Sequence, residues 1–492
     1  MNQAFHSRSF TRSRLALAVI LVSLFIGPRA QAQHLELVYT FTGGTDQKKP
    51  NSLILASDGS LVGTTALIST PMWGTIFKVT NQGNYTLLHA FASDGTEGQG
   101  PTSLFESGGI LYGAANHGGK VNGFLSDVGT VYSLGLNGSN FTLLNQTFNA
   151  GAGCTNPVSI VLDTDSSIYG ATNPESEPNG TLFKLGAANA VSPIKLLYGN
   201  IFNQVILGPD TQGDLYGSIQ NGGINGAGSV FQSTTAGVLI DLVDMNYSDT
   251  TGYTPAQLLL GKDKNFYGTT TYGGANSVGT LFKVVPNGTN SAISAFATFS
   301  SALPGGSPSS LIQGADGTFY GTMENGGPNG TGDGTVYKVS PAGVITVLAS
   351  FDNGPIGQEP SSLVIGSDGN LYGTTLFGGA NGDGTVFRVN LAVDPLDGSP
   401  QGNGINYSPW FGYYLSGSYP LVYQYYLGYE YVYPTNTGAT LYDYASGHFW
   451  YTDSSYFPNI YDYTLNTFLY YYSANTPHRH FYDYNTGKVI TE

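Results

Sequence analysis

The chain has 492 residues, of which 69 are Gly, 35 Tyr and 26 Phe, and only 10% are charged. That composition is poor for helices, and 40% hydrophobic content is too much for disorder. A net charge of −15 argues against nucleic acid and anionic membranes as partners, and a lone cysteine, Cys154, cannot form an internal disulfide, so a large packed core must supply stability.

The first element reads as a secretory signal peptide over residues 1–32. Arg8, Arg12 and Arg14 form its positive region, Leu15 to Ile26 its short apolar run, and Ala30-Gln31-Ala32 a small-residue cleavage site. The apolar run is too short to span a membrane. Next comes Leu35 to Phe41, a strand pattern that has no partner of its own nearby.

From residue 50 a unit of about 50 residues repeats seven times. Its first signature is Leu61-Val62-Gly63-Thr64-Thr65, then Leu111-Tyr112-Gly113, Ile168-Tyr169-Gly170, Leu215-Tyr216-Gly217, Phe266-Tyr267-Gly268, Phe319-Tyr320-Gly321 and Leu371-Tyr372-Gly373. A Gly/Asn-rich loop usually follows, and then a second signature such as Gly74-Thr75-Ile76-Phe77 or Gly384-Thr385-Val386-Phe387. β-Branched and aromatic residues mark both as strands. An apolar run before the first signature, often opened by Pro as at Pro50 and Pro360, is joined to it by turns such as Asp58-Gly59, Asp316-Gly317 and Asp368-Gly369. A fourth run, such as Ile345 to Phe351, follows the second signature. Four antiparallel strands per unit, A to D, and seven units predict an all-β, seven-bladed β-propeller over residues 33–391. The seventh unit stops at its third strand near Val389, so the strand at Leu35 is expected to close the ring.

The pattern D-G-x-L-Y-G-T-T, then G-G-x-N-G-x-G-T-V-F-K-V, resembles the GloVer tandem repeats of exported bacterial proteins with variable C-terminal anchors. The resemblance spans residues 35 to 390, with its best copies at Asp316 to Val339 and Asp368 to Val389. The copy from Asp165 to Lys184 departs from it, with Ser166 at the turn position and no Gly-Gly step. The resemblance implies export and a repeat fold, and no defined reaction.

Residues 392–406 read as a Pro/Gly/Asp linker. Residues 407–492 form a small Tyr-rich module of β-hairpins, with Leu441-Tyr442-Asp443-Tyr444, Ile460-Tyr461-Asp462-Tyr463 and Phe481-Tyr482-Asp483-Tyr484 about 20 residues apart. No apolar C-terminal stretch long enough to span a membrane is seen, so a membrane-spanning anchor is not expected. The module occupies the place where members of the resembled family carry an anchor or sorting signal, so the resemblance implies that it attaches the propeller to a cell-surface component. Trp450, Tyr451, Tyr470 and Tyr471 either stack on sugar rings or form the module's core.

The long, variable B–C and D–A connections share one face of a propeller, which makes that face the candidate binding surface. Its loops carry Asp46, Asp94, Glu97, Asp127, Asp249, Glu324, Asp333, Asp352, Glu359 and Asp383. Asp94, Glu97, Asp333, Asp352 and Asp383, with Trp450 and Tyr471 of the tail, are the binding candidates. Paired carboxylates could serve glycoside hydrolysis, and carboxylates with carbonyls could bind Ca²⁺, although no loop has EF-hand spacing. Solvated turn residues are the simpler account. His34, His89 and His117 are too scattered for a zinc site, and Cys154 has no nameable base, so no catalytic residue is assigned. Tyr112, Tyr169, Tyr216, Tyr267, Tyr320 and Tyr372 recur in nearly every unit and are expected to pack between blades, with their hydroxyls reaching backbone and the following Gly permitting close approach. Two functions remain open. One is an exported, monomeric binding or structural module for an extracellular protein or glycan, and the other is a propeller enzyme acting on extracellular polysaccharide.

Overall fold

Alternating turn and strand signals at a 50-residue period produce a ring of four-stranded sheets in a computed structural model of the chain. It describes residues 35–391 except 66–72, 122–123, 146–147, 149–153, 164–166, 174–178, 187–189, 199–204, 208–213, 249, 302–304, 328–331 and 353, together with the backbone of the strands between 399 and 491. The expected signal peptide lies outside the described residues. Two compact units divide the chain, parting between Val393 and Asp394.

The first unit is a seven-bladed β-propeller. In blade 1, strands Pro50–Leu55, Leu61–Thr65, Thr75–Val79 and Tyr85–Ala90 lie antiparallel in the order A-B-C-D. The same order recurs in blades 2 (residues 99–145), 3 (157–198), 4 (205–244), 5 (253–298) and 6 (306–350). The A strands of successive blades touch all the way round, so A is innermost and D outermost. Blade 7 draws A to C from Gln358–Ile365, Leu371–Phe377 and Thr385–Val389, and its D strand is Leu35–Thr40 from the other end of the repeat region. Glu36 is in register with Arg388 and forms an ion pair with it. Phe41 continues inward to meet Phe77 of blade 1 with ring centres 5.1 Å apart, so the closing strand is fastened to both blades it joins.

The recurring residues have specific structural duties. Gly63, Gly170, Gly268 and Gly373 lie under the C-strand rings of Phe77, Phe183, Phe282 and Phe387, where a Cβ would stand within about 2.5 Å of the ring. Buried threonines tie strand B to strand C: Thr65 to Thr75 at 2.8 Å, and Thr375 to Thr385 at 2.9 Å. The hydroxyl of Thr280 then donates to the Thr251 carbonyl at 2.6 Å, and that of Thr130 to the Glu97 carbonyl at 2.8 Å, holding the loop that leads into the same blade.

Five blade boundaries are also locked by a glycine–proline contact among the described residues. Gly74, Gly129, Gly228, Gly334 and Gly384 adopt positive φ just before strand C, and a Cβ there would strike the proline at or near the start of strand A of the following blade. The residue before that proline, Lys49, Asn156, Thr254 or Glu359, also has positive φ, which is unusual before proline. Its backbone N–H compensates by donating across the blade boundary, as from Glu359 to the Asp333 carbonyl at 2.9 Å and from Thr254 to the Ala227 carbonyl at 2.7 Å.

The repeated tyrosines sit at these boundaries. Tyr216 stacks on Phe266 of the next blade and Tyr267 meets Phe319, both with ring centres 4.4 Å apart. Tyr112, Tyr169, Tyr320 and Tyr372 lie in apolar clusters shared with the following blade. The expectation that their hydroxyls reach backbone needs correction. Tyr267 and Tyr372 donate to the turn carboxylates of Asp263 (2.9 Å) and Asp368 (2.8 Å), because the A–B turn brings an aspartate to the end of the ring. The Tyr169 hydroxyl accepts from Lys184 Nζ at 2.9 Å.

The second unit contains an eleven-stranded antiparallel sheet whose strands follow one another in sequence order from Ser399–Gly402 to Lys488–Thr491. The expected hairpins therefore join edge to edge. The residues expected as linker, 392–406, are in part strand, since Ser399–Gly402 pairs with Ile405–Ser408 at the sheet's edge, where a proline is tolerated.

Candidate functional site

Strand lengths set what the B–C/D–A face can offer. The B–C connection of blade 2, read from sequence as a long loop, is mostly strand. Ile110–His117 runs on to pair His117 with Gln99, and Lys120–Val121 with Phe124–Leu125 forms a small extra hairpin. Phe124 at its tip is 78% exposed. Between this hairpin and the loop leading into blade 2 lies a cleft of about 300 Å³, lined by Asp94, Gly95, Gln99, Gly118, Leu125, Ser126 and Asp127.

The candidate carboxylates are largely engaged by their own loops. Asp94 accepts the Thr96 amide at 2.9 Å, which holds its carboxyl below the usual range. Glu97 accepts the Ala92 amide and contacts His89 Nε2, each at 3.0 Å. Asp352 accepts the Gly354 amide at 3.1 Å, and Asp383 pairs with Lys48 at 2.7 Å. Asp46 is buried and accepts from the Thr42 amide, the Thr42 hydroxyl and the Tyr39 hydroxyl. Asp333 gives its backbone carbonyl to Glu359. These residues belong to the loops of blades 1, 2, 6 and 7, and the turn-residue account fits most of them. Asp249 lies outside the described residues.

One carboxylate differs. Glu324, at the end of strand Phe319–Asn325, is pushed above the ordinary carboxylate range by burial and then by the charge of Glu359 at the start of blade 7. Residue listing by type could not single it out, because the pairing spans a blade boundary. Among the described residues no three His, Cys, Asp or Glu side chains gather as a metal-binding set. Cys154 is buried, and burial pushes its thiol up to about 12.

Aromatic side chains supply the other notable group on this face. Tyr247, Tyr253 and Tyr272 adjoin one another where blade 5 begins. Sequence reading missed them because they belong to non-repeating loop and strand-end positions. In the second unit, Trp450 occupies strand Phe449–Thr452 and Tyr471 strand Thr467–Asn475, in register with Leu441 and Phe481 respectively.

The model of the Gloeobacter/Verrucomicrobia repeat matches residues 28–201, 198–352 and 289–398. The chain belongs to this repeat family. No curated protein matches it. Among solved structures, Kuenenia stuttgartiensis hydrazine synthase is 13% identical, with 72% of this chain and 100% of that chain covered and a TM-score of 0.47. The computationally designed Ika8 protein is 11% identical over 71% and 99%, with a TM-score of 0.40. A gluconolactonase from Xanthomonas campestris is 12% identical over 71% and 98%, with a TM-score of 0.36. In this Gloeobacter/Verrucomicrobia repeat protein the periodic residues hold blades together, and the aperiodic ones give the B–C/D–A face its individual chemistry.

Proposed function

We propose that this repeat protein is an exported binding module, directed outward by residues 1–32, whose B–C/D–A face engages an extracellular protein or glycan. The Tyr-rich C-terminal sheet serves as its cell-surface attachment. The observation that carries this reading is the contrast on one face between carboxylates engaged by that face's own loop groups and exposed apolar side chains from non-repeating segments, Phe124 and Tyr272 among them. Exposed apolar groups on a rigid scaffold favour recognition. A glycan and protein array probed with the protein and with a version ending at residue 391 tests it. Binding retained after truncation assigns recognition to the propeller; binding lost assigns it to the tail; no binding in either contradicts the reading.

A second reading, an enzyme acting on extracellular polysaccharide, is favoured only by Glu324, whose carboxyl is pushed above its ordinary range by burial and then by the charge of Glu359, since a raised carboxyl near a second carboxylate is the pattern general acid chemistry uses. Release of reducing sugar from a polysaccharide by the wild type, lost in Glu324→Gln, would support it.

A further inference from the structure

We infer that Tyr247, Tyr253 and Tyr272 form a platform for an uncharged sugar chain; this rests on the binding reading above and names the ligand class for that face. Tyr253 opens strand Tyr253–Leu260 and is in register with Tyr272 at the end of Phe266–Tyr272. Their rings stack with centres 5.7 Å apart and planes 29° apart, and Tyr247 meets Tyr253 edge-on at 5.0 Å and 68°. Tyr247 is 60% exposed and Tyr272 51%.

The platform is held in place before any ligand arrives. The Tyr247 hydroxyl donates to the Gly226 carbonyl at 2.8 Å. Tyr253 packs on the blade 4/5 apolar cluster and lies against Gly273, where a Cβ would stand 2.9 Å from the ring. Rings already fixed lose little freedom on stacking, so their contact area converts efficiently into affinity.

Comparison between blades supports a ligand role. The position of Tyr272 is filled by His117 in blade 2, Asn325 in blade 6 and Phe377 in blade 7, and in each the chain supplies a polar or charged neighbour. His117 Nδ1 lies 3.1 Å from Asp127, Asn325 donates to the Ser307 hydroxyl at 3.2 Å, and Lys49 Nζ stands 4.1 Å from the Phe377 ring centre. In blade 5 the neighbours are two more aromatic rings, and the outer surface faces solvent.

The chemistry favours a neutral sugar. Aromatic faces accept the C–H faces of sugar rings, while the chain's charge of −15 disfavours acidic polymers. A stable protein partner needs roughly 800 Å² on each side, and three partly exposed tyrosines offer roughly 250 Å².

Native affinity electrophoresis of the whole protein through gels containing mixed-linkage β-glucan, xyloglucan or galactomannan tests this, with alginate as the anionic control. At least one neutral polymer is expected to retard the wild type and alginate is not. Tyr247→Ala/Tyr272→Ala should raise the polymer concentration needed by about tenfold or more, whereas Tyr272→Trp, which keeps a ring, and Val344→Ala, exposed on the opposite face, should not. No retardation by any neutral polymer, or equal retardation of the double variant and the wild type, overturns the platform. Loss in Phe124→Ala alone overturns it while leaving the binding reading for this face intact.

Discussion

The backbone N–H of Lys49 donates to the carbonyl of Asp383 at 2.9 Å, across the boundary where the first blade meets the last. Beside that bond, Gly384 adopts φ of +94° and a Cβ on it would stand 2.7 Å from Pro50 Cδ. Gly384→Ala should therefore destabilise the ring by about 2 kcal/mol or more, through both the backbone conformation and the contact. Gly369→Ala, in a turn with open space around it, carries only the conformational cost and should be milder. Denaturant unfolding of the two variants measures the difference.

Removing residues 35–41 takes away the seventh blade's outer strand, the Glu36–Arg388 ion pair and the buried Phe41 ring. A Phe side chain lost from a core typically costs about 3–5 kcal/mol, so Tm should fall by at least about 4 °C. An unchanged Tm would mean that the closing strand contributes nothing.

Tyr132 and Tyr337 occupy C-strand positions that hold Phe77, Phe183, Phe231, Phe282 and Phe387 in the other blades, and their buried hydroxyls have no hydrogen-bond partner. Tyr132→Phe and Tyr337→Phe should each stabilise the protein, by about 1 kcal/mol, by removing a desolvated hydroxyl. A loss of stability on chemical unfolding would show that those hydroxyls are satisfied in solution.

Three turn carboxyls are held low. Partial burial works against Asp58, but Lys78 at 2.5 Å and the Ser60 hydroxyl and amide outweigh it and bring it to about 2. Burial likewise opposes Asp263 and Asp368, which are lowered by Lys283, Asn265 and Tyr267 and by Tyr372 and Asn370 respectively. A carboxyl lowered on folding contributes stability that is present above its unfolded value near 3.9 and is lost as pH falls toward its folded value. The Asp58→Asn/Asp263→Asn/Asp368→Asn variant should be less stable than the wild type at pH 7, with the gap closing between pH 4 and pH 2. A gap independent of pH would contradict these assignments.

Periodicity made the propeller readable. Gly373 recurs because a strand must pass beneath an aromatic ring, and Thr375 has counterparts in Thr65, Thr172 and Thr270 that tie B to C, so their spacing carries the fold. The strand at Leu35 could be assigned to the seventh blade because that blade's own D strand is missing. The face was less readable. Asp94 and Glu97 have the composition of ligand groups, yet they close their own loops through amides that no residue pattern reveals. Glu324 is perturbed by burial and then by Glu359 of the next blade, and Tyr247, Tyr253 and Tyr272 converge from a loop and two strands without any repeat to mark them.

Blocking one face at a time tests the central claim most directly. Phe124→Cys/Ala275→Cys places thiols on the B–C/D–A face, and Val344→Cys places one on a C–D turn of the opposite face; all three positions are exposed. Cys154 will not compete for a bulky polyethylene glycol maleimide, since it is buried and its thiol is pushed up to about 12. The account predicts that modification at 124 and 275 abolishes array binding and modification at 344 leaves it intact. Binding that survives the first modification, or is lost only with the second, would contradict it.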